Sequence, residues 1–408
     1  MKKILFSAAM ALMLVSCAHD EVIEINRDGD EIQFNVVSDA ATRAADVYCN
    51  NNMPEQFRVW ASVFNDLSKG APYIEGDVIA REGTGPYTWK NTSGTRYWPE
   101  EGKLQFYAVV NEGNYFDDRG PAPYYIKNYR VPGNVTDQKD ILYAVTKQIA
   151  KNTGPVTLNF RHALSQIVFR AQNMNPNIYV KIKGVTICNL YGTGTLPIPA
   201  ANSNTDGNTD GNIVNHDGNG DTGADRNNWE VGILNQANEL ELLNGGDSDY
   251  SVTFTAVDVP GDEKIKPLTS TNDTGKEFSS NAMLLLPQTT TAWAPANGNG
   301  KPENQDGTYF LVDCQIFNVS NLDKGYREDY EGDQCLWGGP VAIPAAFDWK
   351  EGKKYVYTFV FDKEGNGGYN PDPSDPDVPE PVLTPITYNV TVDDFVPVAN
   401  KDYKMETK

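Results

Sequence analysis

The residues best spaced for chemistry lie at 206–217, Asp206-Gly207-Asn208-Thr209-Asp210-Gly211-Asn212-Ile213-Val214-Asn215-His216-Asp217. Oxygen donors stand at the first, third, fifth and seventh places, a glycine at the sixth, a hydrophobe at the eighth and an acid at the twelfth. Such a loop wraps one calcium ion, which takes six to eight oxygens, with Asp206, Asn208, Asp210, Asn212 and Asp217 as ligands. No amphipathic helix pattern flanks it, and Asp217 replaces the usual bidentate Glu. The alternative is a solvated loop, because residues 202–228 are almost all Asn, Asp, Gly and Thr. Calcium is the only cofactor the sequence suggests.

Catalytic constellations are absent from the text. Of three histidines, His19 and His216 sit in polar stretches and His162 sits in a strand pattern, where a satisfied interior role is expected. There is no HExxH and no glycine-rich phosphate loop after a strand. Acid pairs such as Glu100-Glu101 are unremarkable among 55 acidic residues and do not indicate a glycosidase. No enzyme is expected.

Two other positions invite covalent processing. Lys2 and Lys3 precede an apolar run from Ile4 to Val15, broken by Ser7, that ends in Leu14-Val15-Ser16-Cys17. The run is too short to span a bilayer and has signal-peptide length. Its end looks like a lipobox, with Ser16 small enough for the peptidase and the Cys17 thiol placed to carry lipid. Acyl chains then hold the chain at roughly 0.8 kcal/mol per buried CH₂. The second position is Arg43, set among Ala40, Ala41, Thr42, Ala44 and Ala45. That text suits a trypsin-like protease cutting between Arg43 and Ala44. The remaining cysteines, Cys49, Cys188, Cys314 and Cys335, match no zinc or redox spacing, although Cys314 and Cys335 could close a loop.

The elements that must carry these positions read as strands. Alternating or β-rich runs cover Phe57–Phe64, Leu104–Val110, Val156–Phe160, Ala163–Ala171, Tyr179–Ile187, Ser251–Val259, Met283–Pro287, Phe310–Val319 and Tyr355–Phe361. Gly, Pro, Asn and Asp clusters separate them, as in antiparallel sandwiches. A short helix fits only Ile141–Lys147 or Asn235–Leu243. Residues 363–385 are rich in Pro and acid and read as an extended spacer. The chain has 408 residues, 34 basic against 55 acidic, and a net charge of −21. That length favours two domains, and that charge excludes nucleic acid and anionic membrane surfaces as partners.

The order of several short pieces resembles the fimbrillin family, in its Mfa-like branch of lipoprotein subunits of type V pili. They are Ala41-Thr42-Arg43-Ala44, Phe57-Arg58-Val59-Trp60-Ala61, and Trp98-Pro99 ahead of Leu104-Gln105-Phe106-Tyr107-Ala108. Then come Asp140-Ile141-Leu142-Tyr143-Ala144, the run from Val156 to Ile167, Leu284-Leu285-Leu286-Pro287-Gln288 and Trp349-Lys350-Glu351-Gly352-Lys353-Lys354-Tyr355. The resemblance implies an all-β fold of two transthyretin-like antiparallel β-sandwich domains in tandem, export to the outer membrane and cell surface, and assembly into a fimbrium with other fimbrillin subunits. The expected organisation is a signal peptide at 1–16 and a lipidated tether with a cleavable strand at 17–43. Sandwiches follow at 44–175 and 176–362, then the spacer at 363–385 and a terminal strand and tail at 386–408.

Two strands fit that implication on their own residues. Ile32, Phe34 and Val36 alternate with polar residues near one end, and Ile386, Tyr388, Val390 and Val392 do so near the other. The first is expected to cap a groove until the Arg43 cut frees it, and the second, from a neighbouring subunit, to take its place. Four apolar side chains at roughly 1.5–3 kcal/mol each outweigh three. The plainer alternative keeps both as ordinary strands of one monomer. A reading of a different class takes Trp89, Tyr97, Trp98, Tyr124, Tyr125 and Tyr129 as exposed platforms of a monomeric glycan-binding surface lipoprotein, with a host or bacterial surface ligand.

Overall fold

Period-two alternation and β-branched or aromatic residues shape the chain into strands almost throughout. The computed structural model describes residues 31–38, 54–65, 69–83, 87–111, 113, 116–117, 124–151, 154–198, 229–234, 240–241, 246, 248–269, 282–295, 301–302, 307–319, 335–362, 368–382 and 386–394. Cys17, Arg43, Ala44 and the whole calcium-type loop fall outside these residues.

Most strands of the first half form one curled sheet, while Phe116–Asp117 and Tyr125–Arg130 pair in another sheet with Thr193–Pro197. The labelled strands of the curled sheet are β1 (Phe34–Ser38), β2 (Gln56–Phe64), β3 (Lys69–Glu82), β4 (Thr88–Asn91) and β5 (Lys103–Val110). Across the sheet the order is β1, Val156–His162, Leu142–Val145, β5, β2, β3, β4. The concave face buries Phe57, Val59, Leu104, Phe106, Leu142, Leu158 and Phe160 with Ile32, Phe34 and Trp98. The opposite face of the same strands sends Trp60, Tyr107, Val109 and Tyr143 into a larger core. This is why β5 reads as a nearly continuous apolar run. Both of its faces are covered.

The second half packs further sheets around that larger core. One has the order Ser248–Pro260, Ile178–Leu190, Tyr309–Asn318, Cys335–Pro344. Another has the order Ile265–Pro267, Ser165–Asn173, Lys353–Phe361, Ile386–Asp394, so the tail strand occupies an edge of its own chain's sheet. Phe169, Phe310, Phe347, Tyr357 and Phe359 interlock between them, with ring centroids 5.1–6.4 Å apart. The larger core draws side chains from both halves of the chain, from Trp60 to Ile386, whereas the smaller one ends at Phe160.

The all-β expectation holds, and each run named above contains a strand. Four readings need correction. Ladders are not uniformly antiparallel, because β1 runs parallel to Val156–His162 and Ser165–Asn173 runs parallel to Lys353–Phe361. The Ile141–Lys147 helix is instead the strand Leu142–Val145, apolar at every position because it is covered on both faces. Leu240–Glu241 is likewise a short strand. The spacer is not extended over 368–382. Tyr369 pairs with Pro381 and with Ala342, and Asn370 N donates to the Glu380 carbonyl at 2.8 Å. The Tyr369 ring sits 5.6 Å from Trp293, which holds this folded loop on the sheet.

Candidate functional site

β1 is the outer strand at one edge of the curled sheet. Phe34 through Ser38 pair with Val156 through Phe160. The side chains alternate as the sequence suggests: Ile32 and Phe34 are buried, Val36 is partly so, and Gln33 and Asn35 face out. The Phe34 ring meets Phe106 edge-on at 5.7 Å and Phe57 at 6.4 Å. Only one side of β1 carries a ladder. Following the sheet from Val156–His162 to β4, every step is antiparallel, so β4 runs opposite to β1. The two outer strands face each other across a groove of about 430 Å³ lined by Gln33, Phe34, Asn35, Tyr87, Trp89 and Asn91. The curl therefore falls one short pairing from closing into a barrel.

At its lower end the groove is pinned. Glu31 bridges Tyr97, and Ile32 N donates to the Arg96 carbonyl at 2.8 Å. Arg96 is itself fixed by Asp77, which accepts from Nε at 2.7 Å and from Nη2 at 2.8 Å, and Asn91 donates to the same carboxylate at 2.7 Å. Tyr73 adds a hydrogen bond to the Tyr97 carbonyl at 2.6 Å. Bidentate geometry makes this a stronger anchor than a lone surface pair. Sequence reading missed it, since an Asp and an Arg nineteen residues apart carry no local signature.

Burial alone pushes the Asp77 carboxyl up. The hydrogen bonds from Arg96 and Asn91, with the Arg96 charge, outweigh that and hold it below the usual carboxylate range. A lowered native pKa gives stability that is complete above the unfolded value of about 3.9 and is lost as pH falls through the native one. The protection of amides 31–36, after allowance for the intrinsic pH dependence of exchange, is accordingly expected to fall below about pH 4. Asp77→Asn should show the faster exchange at neutral pH and little further acid response.

The other proposed partner, the tail strand, pairs with Lys353–Phe361 from Phe361↔Ile386 to Lys353↔Asp394. Its seat is uneven. Ile386 is fully buried and Tyr388 packs 5.5 Å from Phe310, but Val390 and Val392 are 45% and 53% exposed. The strand that could move is thus held at one end and bare at the other.

Other sequence candidates resolve into structure. His162 Nδ1 lies 2.8 Å from the Asp140 carboxylate in a buried pair, the interior role expected of it. Trp98, Tyr124 and Tyr129 are core residues, at 1%, 3% and 6% exposure, so they offer no sugar platform. Apolar rings in small sheets fill the core before they line a surface. Cys314 is a buried reduced thiol, and the strand register places it opposite Gly339, with Cys335 opposite Phe317. Burial, with Asp249 nearby, pushes the Cys188 thiol up to about 12, so it is a poor nucleophile. Among the described residues no group of three His, Cys, Asp or Glu is placed to hold a metal, and no helix is long and apolar enough to cross a membrane.

An all-β chain of packed sheets, with one outer strand closing a hydrophobic groove, is the class of protein these features define. The chain belongs to the fimbrillin-like family, whose profile matches residues 42–374. That span contains most of the curled sheet and of the larger core, but neither β1 nor the tail strand. The sequence matches none of the curated proteins. Among solved structures, a candidate cell adhesion protein from Parabacteroides distasonis is 13% identical, covering 90% of this chain and 99% of its own, with a TM-score of 0.42. Another from Bacteroides uniformis is 12% identical, covering 91% and 99%, at 0.39. A fimbrial protein from Bacteroides ovatus is 11% identical, covering 81% and 48%, at 0.32.

Proposed function

We propose that this chain is a fimbrial subunit, exported as a lipoprotein on Cys17 to the outer membrane and cell surface, that polymerises with other fimbrillin subunits and contributes to adhesion. In this reading a protease cuts between Arg43 and Ala44. The leading segment, including β1, then leaves the groove, and the Ile386–Asp394 strand of a neighbour fills it. Subunits so linked would join sandwiches of 44–175 and 176–362 head to tail.

One observation supports this above the rest. β1 is an outer strand with one ladder, and its Phe34, with Ile32 just ahead of it, completes a buried core. Removing it exposes a hydrophobic trough and a row of unpaired backbone groups, a state that invites strand addition. Membership of the fimbrillin-like family supports the same reading.

The test is treatment of the purified chain with a trypsin-like protease, followed by electrophoresis without boiling. A ladder of oligomers is expected from the wild type, and none from Arg43→Ala. An Arg43→Ala protein giving polymers of wild-type length would remove the trimming step. Calcium binding at Asp206, Asn208, Asp210, Asn212 and Asp217 would be a separate property of the 202–228 loop.

A further inference from the structure

The two strands that the exchange reading sets in competition carry nearly the same sequence. Ile32-Gln33-Phe34-Asn35-Val36 reads against Ile386-Thr387-Tyr388-Asn389-Val390. The first, fourth and fifth residues are identical, and the third differs by one hydroxyl. Alternation alone would demand apolar residues at the first, third and fifth places. It does not demand asparagine at the fourth, where the residue faces out and where strands usually avoid it. Asn35 lines the groove between β1 and β4, so the shared asparagine marks a position with a particular neighbour.

Resting on the exchange reading, we infer that the tail strand is a mimic of β1 that enters in one fixed register, parallel to Val156–His162. Ile386 takes the seat of Ile32, Tyr388 that of Phe34, Asn389 that of Asn35 and Val390 that of Val36. The backbone accepts this placement. Ile386 supplies the N–H that Ile32 gives to the Arg96 carbonyl, and Pro385, which has no N–H, falls where Glu31 stands. The ladder continues to Ser38↔Phe160, the place at which the tail brings Val392.

Burial favours the move. In its own chain the tail leaves Val390 and Val392 about half exposed, while the seat awaiting Tyr388 is the one in which Phe34 is 7% exposed. The core beneath β1 also contains a donor that β1 leaves idle. The indole N–H of Trp98, on a residue 1% exposed, has no acceptor among the described residues. Trp98 and Phe34 both pack edge-on against Phe106, and Ile, Phe and Val offer no side-chain acceptor. Tyr388 brings a hydroxyl into that same aromatic cluster.

Cysteine pairs read the register directly. Thr157 lies opposite Asn35, so Thr157→Cys with Asn389→Cys should form a disulfide between subunits once the chain is trimmed and assembled. Paired strands lie about 4.8 Å apart, within disulfide reach. Thr157→Cys with Thr387→Cys, or with Thr391→Cys, puts the two positions about 8 Å apart and should give little product. All four sites face out, so the fold is spared. In the uncut monomer Asn389 sits opposite Thr358 of its own chain, and no bridge is expected. A ladder cross-linked through residue 387 or 391 instead would overturn the register and leave strand exchange standing. A trimmed chain that forms no ladder in any variant would sink the exchange reading and the register with it.

Discussion

Replacing Phe34 by alanine is expected to weaken the seating of β1 by about 3–5 kcal/mol, the usual cost of emptying a buried phenylalanine site. Phe34 is nearly enclosed and meets Phe57 and Phe106 edge-on, so truncation loses area and two aromatic contacts together. Each 1.4 kcal/mol is a tenfold change in population, so the unseated fraction rises about 10²- to 4 × 10³-fold without any protease. The visible result is uncut protein that slowly gives oligomers on size exclusion and exchanges its 31–36 amides faster. Val36→Ala should do the same more weakly, because Val36 is only partly buried. A Phe34→Ala protein that stays monomeric with unchanged exchange would show that β1 does not gate assembly.

This prediction singles out β1 over the Arg96 anchor because the two hold differently. The anchor fixes where β1 begins through backbone hydrogen bonds, worth about 1 kcal/mol net each. The phenylalanine supplies most of the apolar burial. A strand that must stay until cut and then leave suits such a division. Few side chains hold it, and the proposed cut after Arg43 would separate those side chains from the rest of the chain.

Much of the fold was legible in the residues. Every run with clear alternation became a strand, and the outward and inward positions of Ile32, Phe34 and Val36 were set by period two alone. What was not legible was pairing across long separations. Nothing local tells that β1 lies beside residues 156–160, or that this ladder is parallel, since its partner is more than a hundred residues away. Composition misled at 368–382, where prolines suggested an extended spacer but Tyr369 folds the segment back beside Trp293. It misled again at Trp98, Tyr124 and Tyr129, because an aromatic in turn-rich text looks exposed until the sheet that covers it is known. The likeness of 386–390 to 32–36 was in the text throughout. It gained a meaning only when β1 proved to be an outer strand over an aromatic trough.

The folded 368–382 loop also bears on reach. In the monomer the tail strand follows it closely and returns to its own sheet. If the loop let go, residues 363–385 could span about 70 Å as a proline-rich extended segment. In the proposed exchange, the contact of Tyr369 with Trp293 would restrain how far the tail reaches.

The claim on which this account turns is that the groove under β1 and the tail strand are two halves of one joint. A chain ending at Thr384 and cut after Arg43 tests it most directly. Such a chain has an open groove and no strand to give. It is expected to form no ladder by itself. Mixed with trimmed full-length chains, it should accept their tails but pass nothing on, shortening the ladder in proportion to its share. That capping also shows that the shortened chain is folded. A trimmed chain without residues 385–408 that still builds long polymers alone would contradict the account, because the joining strand would then lie elsewhere.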